Sequence, residues 1–148
     1  MGINTGRLGF LSTIQKEQIG ETIHTILKKD FSISPRAVLQ IETNPKSDDE
    51  VFNNVALNEI AVSRKNTTSM ITVDTWLNNQ TLTSYWADGL IIATPTGSTG
   101  YSLSCGGPVI TPDADSIVIT PIAPHNLNAR PLIIKDDTKI TLKVSGRE

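Results

Sequence analysis

Apolar residues recur along this chain at two spacings, and the change from one to the other falls near Phe31. In STIQKEQIGETIHTILKKDF, Ile19, Ile23, Ile26 and Leu27 stand at i, i+4, i+7 and i+8, which is the single stripe of an amphipathic helix. Ser12 and Gln15 are spaced as a capping box, and Lys28 and Lys29 place cations in the last turn. The pattern predicts one helix over this segment, its stripe covering a sheet edge or face. Beyond Phe31 the apolar runs are short and separated by turn residues: AVLQIE, NVALNEIAVS, SMITVDTWL, QTLTSYW, LIIAT, SIVITPIA, PLIIK and KITLKV. Asn78-Asn79 predicts a hairpin turn, since asparagine tolerates the left-handed backbone such turns need. NPKSDDE, residues 44–50, reads as a polar loop. Closely spaced strands without crossover helices favour a mainly β fold, a two-sheet β-sandwich, over a parallel α/β layout. A short helix is expected after TPTGSTGYS.

Composition narrows the picture modestly. The 148 residues are 38% hydrophobic and 19% charged, with a net charge of −2, so nothing biases the chain toward nucleic acid or a membrane surface. The lone Cys105 cannot form an internal disulfide, which suits a reducing compartment. There is no run of the roughly 18 apolar residues a membrane span needs and no signal-peptide layout, so cytoplasm is the expected location. Both ends read as cut: MGINTGRLGFL opens on turn-type residues and KITLKVSGRE stops straight after a strand. A fragment of a larger protein is expected.

The segment TPTGSTGYS, residues 94–102, leaves an apolar run through a proline, two glycines and six hydroxyls. Pro95 cannot donate to a strand ladder, and Gly97 and Gly100 admit close approach of other groups. TGYSLS can then start a helix, with Ser98 or Thr99 as cap and Gly106-Gly107-Pro108 as its stop. Such a loop offers amides and hydroxyls suited to an anion or a ribose, although a plain structural turn fits as well. It is neither a P-loop, lacking the GK[ST] lysine, nor a GxGxxG fingerprint.

Other candidates divide between structure and chemistry. Asp88 in ADGL is a natural turn-former, or a carboxylate accepting from a ligand amide or ribose. Asn58 and Glu59 in ALNEIAV form an exposed pair, or a buried one whose partners a polar ligand supplies. His125 between prolines reads as a structural, hydrogen-bonded histidine and His24 as solvated. Asp113 and Asp115 read as a turn. One cysteine and two distant histidines do not make a zinc site, and no Ser-His-Asp triad is supported.

Four motifs in order, GINTGRLGFL, ALNEIAVSR, YWADGLIIATPTGSTGYSLSCGGPVITPD and ITPIAPHNLNARPLII, together resemble the ATP-dependent NAD kinases across almost the whole chain. That resemblance implies transfer of the terminal phosphoryl group of ATP, or of polyphosphate in some members, to the 2'-hydroxyl of the NAD adenosine ribose. The product is NADP, and a divalent metal such as magnesium takes part. It implies that residues 1–148 are the truncated C-terminal, NAD-binding sandwich domain of a homo-oligomer, dimer or tetramer, with the NAD pocket against a neighbouring subunit. The N-terminal α/β domain would be absent. Asn58 and Glu59 would contact the adenosine part of NAD, and Asp88 would hold the nicotinamide end. Thr99, Gly100, Tyr101 and Ser104 would line the adenosine pocket. The chain lacks the family's Gly-Gly-Asp-Gly motif, whose aspartate is expected to activate the ribose hydroxyl and help bind metal, so no catalytic residue is assigned and the segment alone is expected to be inactive. Trp86 stands where many relatives carry arginine, removing a phosphate contact, and Gly100 where alanine is frequent. A non-catalytic nucleotide-binding module and a lipid-kinase-like sandwich domain are the alternatives. The LNE and TPTGSTGYS motifs favour NAD over a lipid, whose site should expose a larger apolar patch.

Overall fold

The computed structural model describes residues 2–6, 12–46, 54–65 and 69–146. Residues 7–11 of the first motif and residues 47–50 of the polar loop lie outside them. The chain forms two compact units, Met1–Pro35 and Arg36–Glu148.

In the first unit, β1 (Ile3–Asn4) runs parallel to β2 (Ile14–Gln15), a 3-10 turn follows at Lys16–Gln18, and α1 spans Ile19–Leu27. The helix thus starts later than its periodicity predicted. Ile14 and Gln15 are committed to the strand bridge, and Gln15 is extended at φ −82° and ψ 159°, which forbids a helix from beginning at Ser12. The Gln15 N–H donates instead to Gln18 Oε1 at 2.9 Å, so the reciprocal cap is moved three residues along. The helix stops where Lys29 turns left-handed at φ 58°, short of Phe31. None of its nine residues is buried, and the stripe residues Ile23, Ile26 and Leu27 stay between 40% and 74% exposed.

The second unit holds the remaining strands: β3 (Leu39–Gln40), β4 (Val55–Ala56), β5 (Glu59–Ser63), β6 (Ile71–Leu77), β7 (Gln80–Ala87) and β8 (Gly89–Ala93). A 3-10 turn at Thr96–Thr99 leads into α2 (Tyr101–Ser104), followed by β9 (Ser116–Ile122), β10 (Leu132–Lys135) and β11 (Ile140–Gly146). They build a four-stranded sheet in the order β10-β9-β8-β5, a three-stranded sheet β11-β6-β7 and the ribbon β3-β4, with every pairing antiparallel. Asn78 and Asn79 sit at φ 49° and 67°, as the hairpin between β6 and β7 requires. AVLQIE contributes only Leu39–Gln40 to a strand, and NVALNEIAVS is broken at Leu57-Asn58 into β4 and β5.

Two clusters explain why LIIA and SIVITPI lack the alternation of ordinary surface strands. Leu90, Ile92, Ile117 and Ile119 point into the sandwich against Ile71, Val73 and Tyr85 of the other sheet. Ile91, Ala93 and Val118 point the opposite way and pack with Ile110, Cys105 and Ala114 from the segment after β8. A sheet covered on both faces needs apolar residues at consecutive positions. The TPTGSTGYS stretch therefore belongs to the lid on the second face, and it is anchored before any ligand is considered. No helix among the described residues is long and apolar enough to cross a membrane.

Candidate functional site

The site is built where β5 begins and β8 ends, because Glu59 pairs with Ala93 at one end of that ladder. The Thr94 N–H donates to Asn58 O at 2.9 Å, extending the pairing one step into the loop. The Thr94 hydroxyl donates to Leu57 O at 2.6 Å and accepts from the Gly97 N–H at 3.1 Å, folding the loop back over the bend that separates β4 from β5. Gly97 then lies on the Asn58 main chain. A Cβ placed there would stand 2.0 Å from Asn58 O and 2.4 Å from its carbonyl carbon, so no side chain fits. Gly100 lies against the end of the Glu59 side chain, where a Cβ would be 3.0 Å from Glu59 Oε2. Asn58 and Glu59 thus face the loop that carries Thr99, Gly100 and Tyr101.

Most of the loop's hydroxyls are consumed internally. Ser98 Oγ donates to Pro95 O at 2.7 Å and accepts from the Ile110 N–H at 2.9 Å, fully buried. It is a staple, and neither it nor Thr99 caps α2, whose N-cap is Gly100 without a side-chain bond. Thr99 Oγ1 reaches Thr96 O at 3.4 Å. Ser102 Oγ and Thr120 Oγ1 share a hydrogen bond at 2.8 Å, pinning α2 to β9, and a Cβ at Gly107 would meet Ser102 Oγ at 2.2 Å. Much of the hydroxyl richness of the segment thus goes into bonds within the fold. Tyr101 and Ser104, three residues apart on α2 and so on one face, remain exposed.

Two oxygens break the pattern. Glu59 Oε2 and Thr96 Oγ1 are buried with no hydrogen-bond partner among the described residues, and Thr96 as a whole is 6% exposed. Leaving such groups unsatisfied costs roughly 1–3 kcal/mol each. Both belong to the same junction of β5 and the loop. Thr96 escaped the sequence reading because nothing in TPTGSTGYS separates it from Thr94 or Ser98; only the bonding of the others singles it out. On the second face of the sheet, burial pushes the Cys105 thiol up while a hydrogen bond with Tyr101 pulls it down, and the net shift is upward, away from a reactive thiolate.

Asp88 lies at the opposite end of β8. Since β8 is five residues long, the Glu59 level and Asp88 are separated by roughly 17 Å at about 3.4 Å per residue. Asp88 Oδ2 is ion-paired with Arg64 Nη2 at 2.9 Å. Next to it, Trp86 rests against His125 with ring centroids 4.5 Å apart, and the His125 N–H donates to Trp86 O at 2.8 Å. Asn126 Oδ1 accepts from the Trp86 N–H at 2.8 Å, covering the edge of β7. His125 thus belongs to a structural clip, and His24 is exposed. The structure unites six of the seven site residues near one end of β8 and leaves Asp88 at the other. Among the described residues no three His, Cys, Asp or Glu side chains converge on a metal position, so these residues do not by themselves fit a divalent metal.

Comparison with known proteins gives this geometry its context. Residues 57–148 match the family described as ATP-NAD kinase C-terminal domain. An NAD kinase of Christiangramia forsetii is 80% identical over 147 residues, covering 99% of this chain and 50% of that protein. The chain spans about half the length of the curated relatives it matches. Among solved structures, yeast NADH kinase complexed with NADH superposes with a TM-score of 0.83 at 30% identity, covering 98% of this chain and 44% of that one. An Archaeoglobus fulgidus NAD kinase in complex with ATP gives 0.79 at 31% identity, covering 97% and 54%. With most of its length matched by the family's C-terminal domain, and both sheets, the stapled loop and the Asn58-Glu59 junction in place, the chain belongs to the ATP-NAD kinase family.

Proposed function

We propose that this chain is the NAD-binding, mainly β part of a cytoplasmic kinase that transfers the terminal phosphoryl group of ATP to the 2'-hydroxyl of the NAD adenosine ribose, giving NADP. The observation that carries this reading is the pair of unpartnered buried oxygens, Glu59 Oε2 and Thr96 Oγ1, at the junction where Gly97 and Gly100 lie against Asn58 and Glu59. A nucleoside supplies what they lack. Its ribose hydroxyls donate to Glu59, the Asn58 amide pairs with a base edge, and the exposed Tyr101 ring offers a face for stacking, with Ser104 beside it. Thr99 and Gly100 form the floor, and Asp88 accepts from the carboxamide at the nicotinamide end.

In this reading the residues here bind and orient the ribose hydroxyl rather than carry out bond making. Phosphoryl transfer depends on metal and fixed charges around the transferring group and on alignment of the reactants. No glycine-rich phosphate cradle with a lysine occurs in the sequence, and no Gly-Gly-Asp-Gly motif. The catalytic aspartate belongs in this reading to an N-terminal domain, and magnesium and the phosphoryl donor, ATP or polyphosphate, to the full enzyme, a homo-oligomer. The chain alone is thus expected to be a binder without turnover.

The test is a pair of measurements. Calorimetric titration with NAD should detect weak binding that Tyr101→Ala abolishes, and indifference to that change would reduce the loop to a structural turn. A coupled assay for NADP should show no turnover for this chain and turnover for a version extended at its N-terminus; activity in the short form would place the catalytic group within these 148 residues.

A further inference from the structure

The segment ALNEIAVSR ends in Arg64, at the far end of β5 from Glu59, and the fold places it against Asp88. The geometry points to Arg64 as a positioning residue for the Asp88 carboxylate, fixing the group that meets the nicotinamide end of the dinucleotide. This rests on the reading of Asp88 given above.

Two neighbours hold the Asp88 main chain. Its N–H donates to Ile122 O of β9 at 3.0 Å, and its carbonyl accepts from the Arg64 N–H, just past β5, at 2.9 Å. The next residue closes the arrangement, since a Cβ on Gly89 would stand 2.4 Å from Val62 O and 2.9 Å from Ile122 Cδ1. With the backbone locked, the carboxylate retains only its side-chain rotations. The Arg64 guanidinium removes that freedom through the 2.9 Å bond to Oδ2. The contact is made through Oδ2, which draws the carboxylate to the Arg64 side. At 29% and 26% exposure, an ion pair of this kind contributes little to stability, and what it secures is direction. An arginine fork is also the cation best suited to hold a carboxylate in one plane.

The experiment compares two ligands on the intact chain: NAD, which carries the nicotinamide end, and adenosine monophosphate, which lacks it. Arg64→Ala should weaken NAD binding about tenfold, the loss of roughly one charge-assisted hydrogen bond, while leaving adenosine monophosphate unchanged within about twofold. Arg64→Lys should fall between. Asp88→Asn should weaken NAD similarly, and adding Arg64→Ala to it should cost little more, because the two act as one unit. Equal weakening of both ligands by Arg64→Ala would overturn the inference, marking Arg64 as a structural tie; so would unchanged NAD binding, or full additivity of the two substitutions. If the unaltered chain binds neither ligand, the NAD-binding reading itself fails and this inference with it; if it binds both equally, only the nicotinamide-end assignment and the role of Arg64 are lost.

Discussion

The two ends of β8 are made by the same device and left in opposite states. At each end a glycine lets neighbouring main chain approach too closely for any side chain: Gly97 against Asn58, in the bend before β5, at one, Gly89 against Val62 of β5 at the other. Beyond that shared feature they diverge. At the Thr94 end Glu59 Oε2 and Thr96 Oγ1 are buried and open, whereas at the Asp88 end the charged group already has its cation. A buried group without a partner costs free energy until a ligand arrives, while a paired carboxylate at the rim holds its direction at little cost. In the proposed reading the first end gains most from a ligand, and the second supplies orientation.

That contrast can be broken experimentally, beginning with what the ends share. Gly97→Ala and Gly89→Ala should each destabilise the chain by about 3 kcal/mol or more, because the clash is with main chain that cannot rotate away; urea unfolding midpoints measure this. Gly106→Ala, at φ +83° with open space around it, should cost only about 1 kcal/mol. A tolerated Gly97→Ala would show that the loop does not rest on Asn58. Next in size, Thr96→Val removes an unpartnered hydroxyl at nearly constant volume, so the ligand-free chain should gain up to about 1 kcal/mol while NAD binding weakens roughly tenfold. Loss of stability in that variant would mean the hydroxyl has a partner in the free protein. Smaller still, Arg64→Ala should change the unfolding free energy by less than about 1 kcal/mol, the ordinary worth of an exposed pair.

The smallest effect concerns the core between the two sheets. Burial pushes the Tyr85 phenol above its ordinary value of about 10. The folded state thus favours the protonated phenol, so this contribution is complete below that value and is lost as pH rises beyond it. Tyr85→Phe should flatten the fall in stability above about pH 10 and leave neutral-pH behaviour nearly unchanged; a steeper fall in the variant would contradict the burial argument.

Much of this architecture was legible in the chain because it depends on local grammar. The Asn78-Asn79 hairpin, the end of β8 shortly before Pro95 and the apolar runs of β8 and β9 follow from residue type and spacing. The helix start did not, since Ile14 and Gln15 were drawn into a strand bridge with Ile3 and Asn4 that periodicity does not encode. NVALNEIAVS read as one strand and proved to be two, because the bend at Leu57-Asn58 is made by Thr94 from the loop. The candidate site divides the same way. Asn58, Glu59 and the glycines stood out as polar or small residues in apolar surroundings, while Thr96 and Arg64 carried no mark of their own.

What the sequence alone determined is the inventory: which segments extend, where they turn, and which polar residues sit awkwardly among apolar neighbours. Tertiary structure decided which of those residues were satisfied. Ser98 and Ser102 found partners across the fold, Thr96 Oγ1 and Glu59 Oε2 found none among the described residues, and Asp88 found Arg64. The reason is physical: hydrogen-bond satisfaction depends on distances between atoms far apart in the chain, which spacing along a single strand cannot specify.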